Sequence, residues 1–66
     1  MTVKEHHNLK IGDMIQYNMY DNVVYYLLVI AIDKQVKVET LNNEPNILSS
    51  FFITPIESSS HKFKLL

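Results

Sequence analysis

The longest apolar stretch of the chain runs without interruption from Val23 to Ile32 and is rich in β-branched and aromatic residues. Such residues favour extended backbone, and about ten residues are too few to cross a membrane as a helix, so the stretch predicts a long buried strand. Successive side chains of a strand point to opposite faces of its sheet. Both faces of this strand are apolar, whereas a small β fold has only one interior. One face is therefore expected to form an exposed apolar stripe or to be covered.

Four further segments have the composition or the two-residue alternation of strands: residues 14–19, 35–41, 47–53 and 61–66. Turn-forming residues separate them at 20–22, at 33–34 and at 42–46, and Pro55 is expected to end the fourth strand. No eleven-residue window combines helical spacing with capping residues, so we expect no helix. The chain is predicted to be all-β, with five short antiparallel strands bent strongly into a small barrel over residues 9–66, after a polar lead-in at residues 1–8.

The length of 66 residues allows one domain, near the lower limit at which a hydrophobic core alone offsets the entropy of ordering the chain. The absence of cysteine removes both disulfides and thiolate zinc sites as additional support. No apolar run follows Lys4, so the N-terminus does not resemble a signal peptide, and we expect a cytoplasmic protein. Abundant Asn, Ile, Lys and Tyr indicate an AT-rich genome, as in low-GC bacteria and their phages. A phage-encoded protein would lie in the virion or the host cytoplasm.

A nine-residue segment, residues 9–17, has the order hydrophobic-x-x-Gly-Asp-x-hydrophobic-x-aromatic, with Gly12 and Asp13 at its centre. It resembles the start of SH3-like barrels of the KOW, Tudor and PWWP type, and residues 26–32, 36–41 and 63–66 are similar to their second, third and last strands. The resemblance implies an SH3-like barrel from Leu9 onward. The chain lacks the further glycine of a KOW element. A Tudor reader of methyl-lysine needs several loop aromatics, and Tyr20 fits such a position while Tyr25, Tyr26, Phe51 and Phe52 fall in predicted strands, so these binding functions do not transfer. Gly12 is expected to adopt a positive φ, and Asp13 to bond to nearby backbone amides.

Catalytic signatures are missing from the sequence. It contains no cysteine nucleophile, no serine in an elbow or triad spacing, and too few glycines for a phosphate loop. His6 and His7 are adjacent, and on an extended chain their side chains point in opposite directions and do not readily chelate one ion. We therefore expect a non-enzyme without metal or cofactor, with His6 and His7 in a solvated lead-in and His61 half-exposed on the closing strand.

The charged residues weigh against nucleic acid as the first choice of partner. All six cationic residues are lysines and the formal net charge is −1, whereas arginine supplies the bidentate contacts common in nucleic-acid interfaces. A nucleic-acid-associated barrel is therefore the alternative function. Its contacts would come from four lysines and two tyrosines on neighbouring strands: Lys34, Lys37, Lys62, Lys64, Tyr17 and Tyr20.

The apolar second strand makes protein interaction the first hypothesis for function. The chain is expected to be a small phage or bacterial accessory protein that self-associates into an oligomer or docks on a larger protein, with no membrane partner. The candidate interface residues come from both faces of the second strand and from the fourth: Tyr25, Tyr26, Leu27, Leu28, Val29, Ile30, Phe51 and Phe52. The sequence leaves open which face of the second strand is inside.

Overall fold

A computed structural model describes residues 1–20, 22–42 and 47–66. The elements follow in the order α1 (Val3–His7), β1 (Met14–Tyr20), β2 (Val23–Ile32), β3 (Val36–Thr40), β4 (Ser50–Ile53), α2 (Pro55–Ser58) and β5 (Phe63–Leu65). All strand pairs are antiparallel, and the order across the sheet is β4-β3-β2-β1-β5. The prediction of five antiparallel strands in a mostly β fold is confirmed. The sheet is not a closed barrel, because β4 and β5 form its two separate edges.

The long strand β2 occupies the middle of the sheet, as its apolar composition predicts. Leu27 lies opposite Ile15 of β1 on one side and Thr40 of β3 on the other. The β1–β2 register shifts between Asn18 and Tyr20, and the β2–β3 register shifts beyond Val29. Bulges of this kind bend a strand and increase its twist, so the strands curve around a shared core.

The core lies on the inward face of this curved sheet and draws on every strand. Its buried hydrophobic members are Leu9, Ile15, Tyr25, Leu27, Val29, Val36, Val38, Ile53 and Phe63. Tyr17 stacks on Phe63 at the margin of the core, with ring centroids 4.5 Å apart and planes at 15°. Burial shows which face of β2 is inside: Tyr25, Leu27 and Val29 all belong to the core.

The expectation of no helix is wrong at the N-terminus, where α1 occupies most of the predicted polar lead-in. Thr2 accepts a hydrogen bond from the Glu5 backbone N–H at 3.0 Å, and the Glu5 carboxylate accepts one from the Thr2 N–H at 2.8 Å. This reciprocal capping box needs only four residues. An eleven-residue window therefore overlooks it. The solvated position expected for His6 is also wrong, since His6 is 6% exposed.

The second helix, α2, contradicts the same expectation between β4 and β5. Thr54 caps it by accepting the Glu57 N–H at 3.2 Å, and Pro55 occupies its first position, where a missing N–H has no cost. Pro55 follows the end of β4 at Ile53, as predicted, but it also begins this helix.

The N-terminal residue and both helices are tied together at one end of the molecule. α1 packs against α2. The amino group of Met1 donates hydrogen bonds to the carbonyl oxygens of Ser58, Ser60 and Phe63. These contacts attach the predicted lead-in to the beginning of β5.

The turn before β1 has the predicted geometry. Gly12 has a φ of +98°, a conformation that L residues rarely adopt, and the Asp13 carboxylate accepts a hydrogen bond from the Lys10 N–H at 2.9 Å. Asn22 follows β1 with a φ of +64°. The predicted loop at 42–46 and break at 20–22 fall partly outside the described residues, and β4 begins at Ser50, three residues later than predicted.

Candidate protein-binding face

The sheet has a second face, here called the outer face, that points away from the core. Its members follow from the strand registers and the two-residue alternation. They are Met14, Gln16 and Asn18 on β1, Val24, Tyr26, Leu28 and, beyond the register shift, Ala31 on β2, Lys37 and Glu39 on β3, Ser50 and Phe52 on β4, and Lys64 on β5.

The predicted interface residues of β2 divide between the two faces. Tyr25, Leu27 and Val29 belong to the core and offer no surface in the folded chain. Tyr26 and Leu28 lie on the outer face, with Tyr26 41% exposed and Leu28 half-buried. Ile30 is half-buried and lies where the β2–β3 register shifts. The second strand therefore contributes an apolar outer surface as well as core.

Three apolar residues form the centre of this surface, here called the outer stripe: Met14, Tyr26 and Leu28. Met14 lies directly opposite Leu28 across β1 and β2, and Tyr26 is two residues from Leu28 on the same face. Side chains in such positions are near enough to form one patch. Sequence reasoning missed Met14 as an interface residue. Its alternation with Ile15, which is buried, was the signal that could have identified it.

The backbone beneath Tyr26 is held on both sides of the residue. Its N–H donates to the Asn42 side-chain oxygen at 2.8 Å, and its carbonyl accepts the Leu41 N–H at 2.8 Å. The Asn42 side-chain nitrogen donates to the Val24 carbonyl at 2.9 Å. Asn42 thus extends the pairing of β2 beyond the end of β3. An aromatic side chain on a fixed backbone loses little entropy when it becomes part of an interface.

The two phenylalanines of β4 lie on opposite faces of the sheet. Phe51 is opposite Val38 and packs against the core, whereas Phe52 is opposite Lys37 and is 53% exposed. The Lys37 ammonium lies 5.7 Å from the centre of the Phe52 ring, within cation–π distance. Phe52 therefore borders the outer face at the β4 edge, partly covered by Lys37.

The four predicted nucleic-acid lysines do not form one patch. Lys64 lies on the edge strand β5, and Lys37 lies on β3, three strand spacings or about 14 Å across the sheet. Lys34 lies in the turn between β2 and β3, and Lys62 precedes β5. The lysines thus occupy two separate parts of the described surface.

The two tyrosines proposed to stack on bases are also apart. Tyr17 packs into the core margin, between Phe63 and Tyr25. Tyr20 is 67% exposed and lies at the end of β1. Neither stands beside Lys34 or Lys37 in the strand registers, and Tyr17, which pairs with Phe63 between Lys62 and Lys64, has its ring packed against the core.

A buried polar pair joins the two helices. The His6 Nδ1 atom lies 2.7 Å from the Ser58 hydroxyl oxygen, and Ser58 is completely buried. The hydroxyl also reaches the Pro55 carbonyl at 3.4 Å. Both residues are buried, so the pair packs α1 against α2.

The surroundings of this pair do not collect metal ligands. A cleft of about 340 Å³ opens beside α1, between His6, the Asp33–Lys34 turn and Pro55. Within residues 1–20, 22–42 and 47–66, no three His, Cys, Asp or Glu side chains are placed to hold a metal ion. His61 is exposed and lies outside the strand on which it was expected.

The pKa of His6 lies below its ordinary value, first because burial disfavours the imidazolium and second because His7 is close by. Above about pH 6.5 both folded and unfolded chains hold a neutral imidazole. Below it the unfolded chain binds the proton first, so the free energy of unfolding falls as the pH is lowered through the interval down to the His6 pKa of the folded protein.

We expect urea midpoints to show this loss for the wild type and for His61→Gln. The effect should be reduced in His6→Gln, and an unchanged pH dependence in that variant would contradict the assignment.

No helix in the described part of the chain is long and apolar enough to span a membrane. Comparison of the chain with models of known protein families, with curated proteins and with solved structures finds no match.

Proposed function

We propose that the chain is a non-enzymatic protein-interaction or assembly module and that its outer stripe binds another protein chain. The observation that carries the proposal is the position of Met14, Tyr26 and Leu28. They are neighbours on one face of the sheet, and the core on the other face is complete without them. Adjacent exposed apolar side chains on a rigid surface are characteristic of protein interfaces.

The satisfied interior supports this proposal. Every buried side-chain nitrogen and oxygen among the described residues has a hydrogen-bond partner. The apolar side chains of β2 that face outward, Val24, Tyr26 and Leu28, are not among the hydrophobic residues of the core. A domain of 66 residues without disulfides gains comparatively little from its own core, so covering this face would add stability as well as affinity.

The alternative function, nucleic-acid binding, has no comparable support. Lys37 and Lys64 are separated across the sheet, and Tyr17 is engaged in core packing. A nucleic-acid groove requires cations that follow a backbone and aromatic faces beside them.

We also propose that the sheet is an open member of the SH3-like class of small barrels. The glycine turn at Gly12 precedes β1, and β5 returns to pair with β1, bringing the end of the chain beside its beginning. Both features support the resemblance of residues 9–17. The sheet is open because its two edge strands, β4 and β5, do not pair with each other.

Site-specific photocrosslinking in the native cell tests the function. A benzophenone amino acid in place of Tyr26 is expected to crosslink to protein, either a second copy or another chain. The matched control is the same replacement of Tyr20, which is more exposed but belongs to the end of β1. Crosslinks that require position 26 support the proposal. No crosslinked product at position 26, or equal products at both positions, would refute it.

A further inference from the structure

Opposite charges flank the outer stripe on its two sides. Glu39 of β3 lies directly opposite Leu28, and Lys64 of β5 lies directly opposite Gln16. Both charged side chains are exposed. The strand order β3-β2-β1-β5 places the stripe between Glu39 on one side and Lys64 on the other, with Lys37 also on the outer face of β3.

This charge arrangement becomes self-complementary under two-fold symmetry. Two copies can pack outer face to outer face about a two-fold axis. This axis runs parallel to the strands and passes between β1 and β2. The axis places β3 of each copy over β5 of the other, so Glu39 of one copy faces Lys64 of its partner, and the contact occurs twice. Both apolar stripes meet at the centre.

The positions along the strands also fit. The row of Glu39 and the row of Lys64 differ by two residues, or about 7 Å, a distance that two long side chains can span. Lys37 lies two further residues away from Lys64 along β3, so like charges are not brought together.

The available area sets the strength of such a contact. The molecule measures 27 × 21 × 18 Å, so its largest projected face is about 570 Å² per copy, from 27 × 21. Two faces of this projected size give an interface on the order of 1,100 Å², near the lower limit for a specific complex. The association is therefore expected to be reversible and concentration-dependent.

We infer that the occupant of the outer face is a second copy of this chain, in a two-fold dimer whose stripes pack together and whose Glu39 and Lys64 pair between copies. This inference rests on the proposed function and names its partner. Docking on a larger protein is a different case, because binding to a different chain does not require that Glu39 and Lys64 of this chain complement each other.

Charge exchange tests the inference by sedimentation equilibrium of the purified chain between about 1 µM and 1 mM, a range that brackets a weak specific dimer. Glu39→Lys and Lys64→Glu each place like charges together and are expected to raise the dimer dissociation constant at least tenfold. The double exchange restores attraction with the net charge still −1, and its dissociation constant should return to within threefold of the wild type. Lys10→Glu changes the net charge as Lys64→Glu does, but outside the sheet, and should have no effect.

Three outcomes would overturn the inference: a wild type that stays monomeric at every concentration, single variants that associate like the wild type, or a double variant as weak as the singles. If the chain is monomeric but the photocrosslinker at position 26 still captures a different protein, the proposed function stands and the second copy does not. If position 26 captures nothing, the proposed function itself fails.

Discussion

Leu27→Ala is expected to lower the free energy of unfolding by about 3 kcal/mol, within the range for large-to-small changes in a core. Leu27 is fully buried at the centre of the sheet, between Ile15 and Thr40. The methyl groups lost leave a cavity that strands paired on both sides cannot easily close. A domain of this length is expected to have a stability of about 3–10 kcal/mol, so the loss is a large part of the total. Urea unfolding followed by far-ultraviolet circular dichroism measures it.

The matched control is Leu28→Ala, the same change one residue along the same strand. Leu28 belongs to the outer stripe, so in dilute protein its truncation should cost less than about 1 kcal/mol. Equal destabilisation by the two changes would contradict the assignment of the inward and outward faces of β2.

Ser58→Ala is expected to cost about 1–3 kcal/mol, because it leaves the buried His6 Nδ1 without its partner. The cost should exceed that of a lost hydrogen bond at the surface. Ser59→Ala is the control, since Ser59, the C-cap of α2, is exposed and its hydroxyl donates to the Ile56 carbonyl. Its effect should stay within about 0.5 kcal/mol.

Thermal and urea unfolding of both serine variants provide the comparison. A Ser58→Ala chain as stable as Ser59→Ala would show that the His6–Ser58 contact does not hold α1 on α2. A larger loss for Ser58→Ala, together with a raised exposure of His6 to chemical modification, is the expected result.

The strands could be predicted from the sequence because each depends on local composition. The segment Val23–Ile32 is observed with the predicted bounds, and the turn at Gly12 has the predicted positive φ. The apolar character of both faces of β2 also followed from alternation alone, whereas the exposure of one of them did not. Nor did the identity of the exposed face, because the two sides of β2 are equally apolar in composition. The choice depends on the register with Ile15 and Val38, which are inside.

The features that could not be predicted depend on short signals or on distant pairing. Two helices of five and four residues are stabilised by the caps Thr2 and Thr54 and by packing on each other, not by a helical apolar period. The separation of Lys37 from Lys64 follows from the return of β5 to β1, which sequence spacing does not reveal. Glu39 becomes a candidate interface residue only when the β2–β3 register places it opposite Leu28.

Hydroxyl-radical footprinting of the purified chain across a concentration series tests most directly whether a second copy covers the outer face. Met14, Tyr26 and Phe52 are all exposed in the single chain, and Tyr20 provides an internal reference of the same residue type as Tyr26. We predict that labelling of Met14 and Tyr26 falls as the protein associates while labelling of Tyr20 stays constant. Labelling of Met14 and Tyr26 that remains unchanged relative to Tyr20 at every concentration would contradict the account.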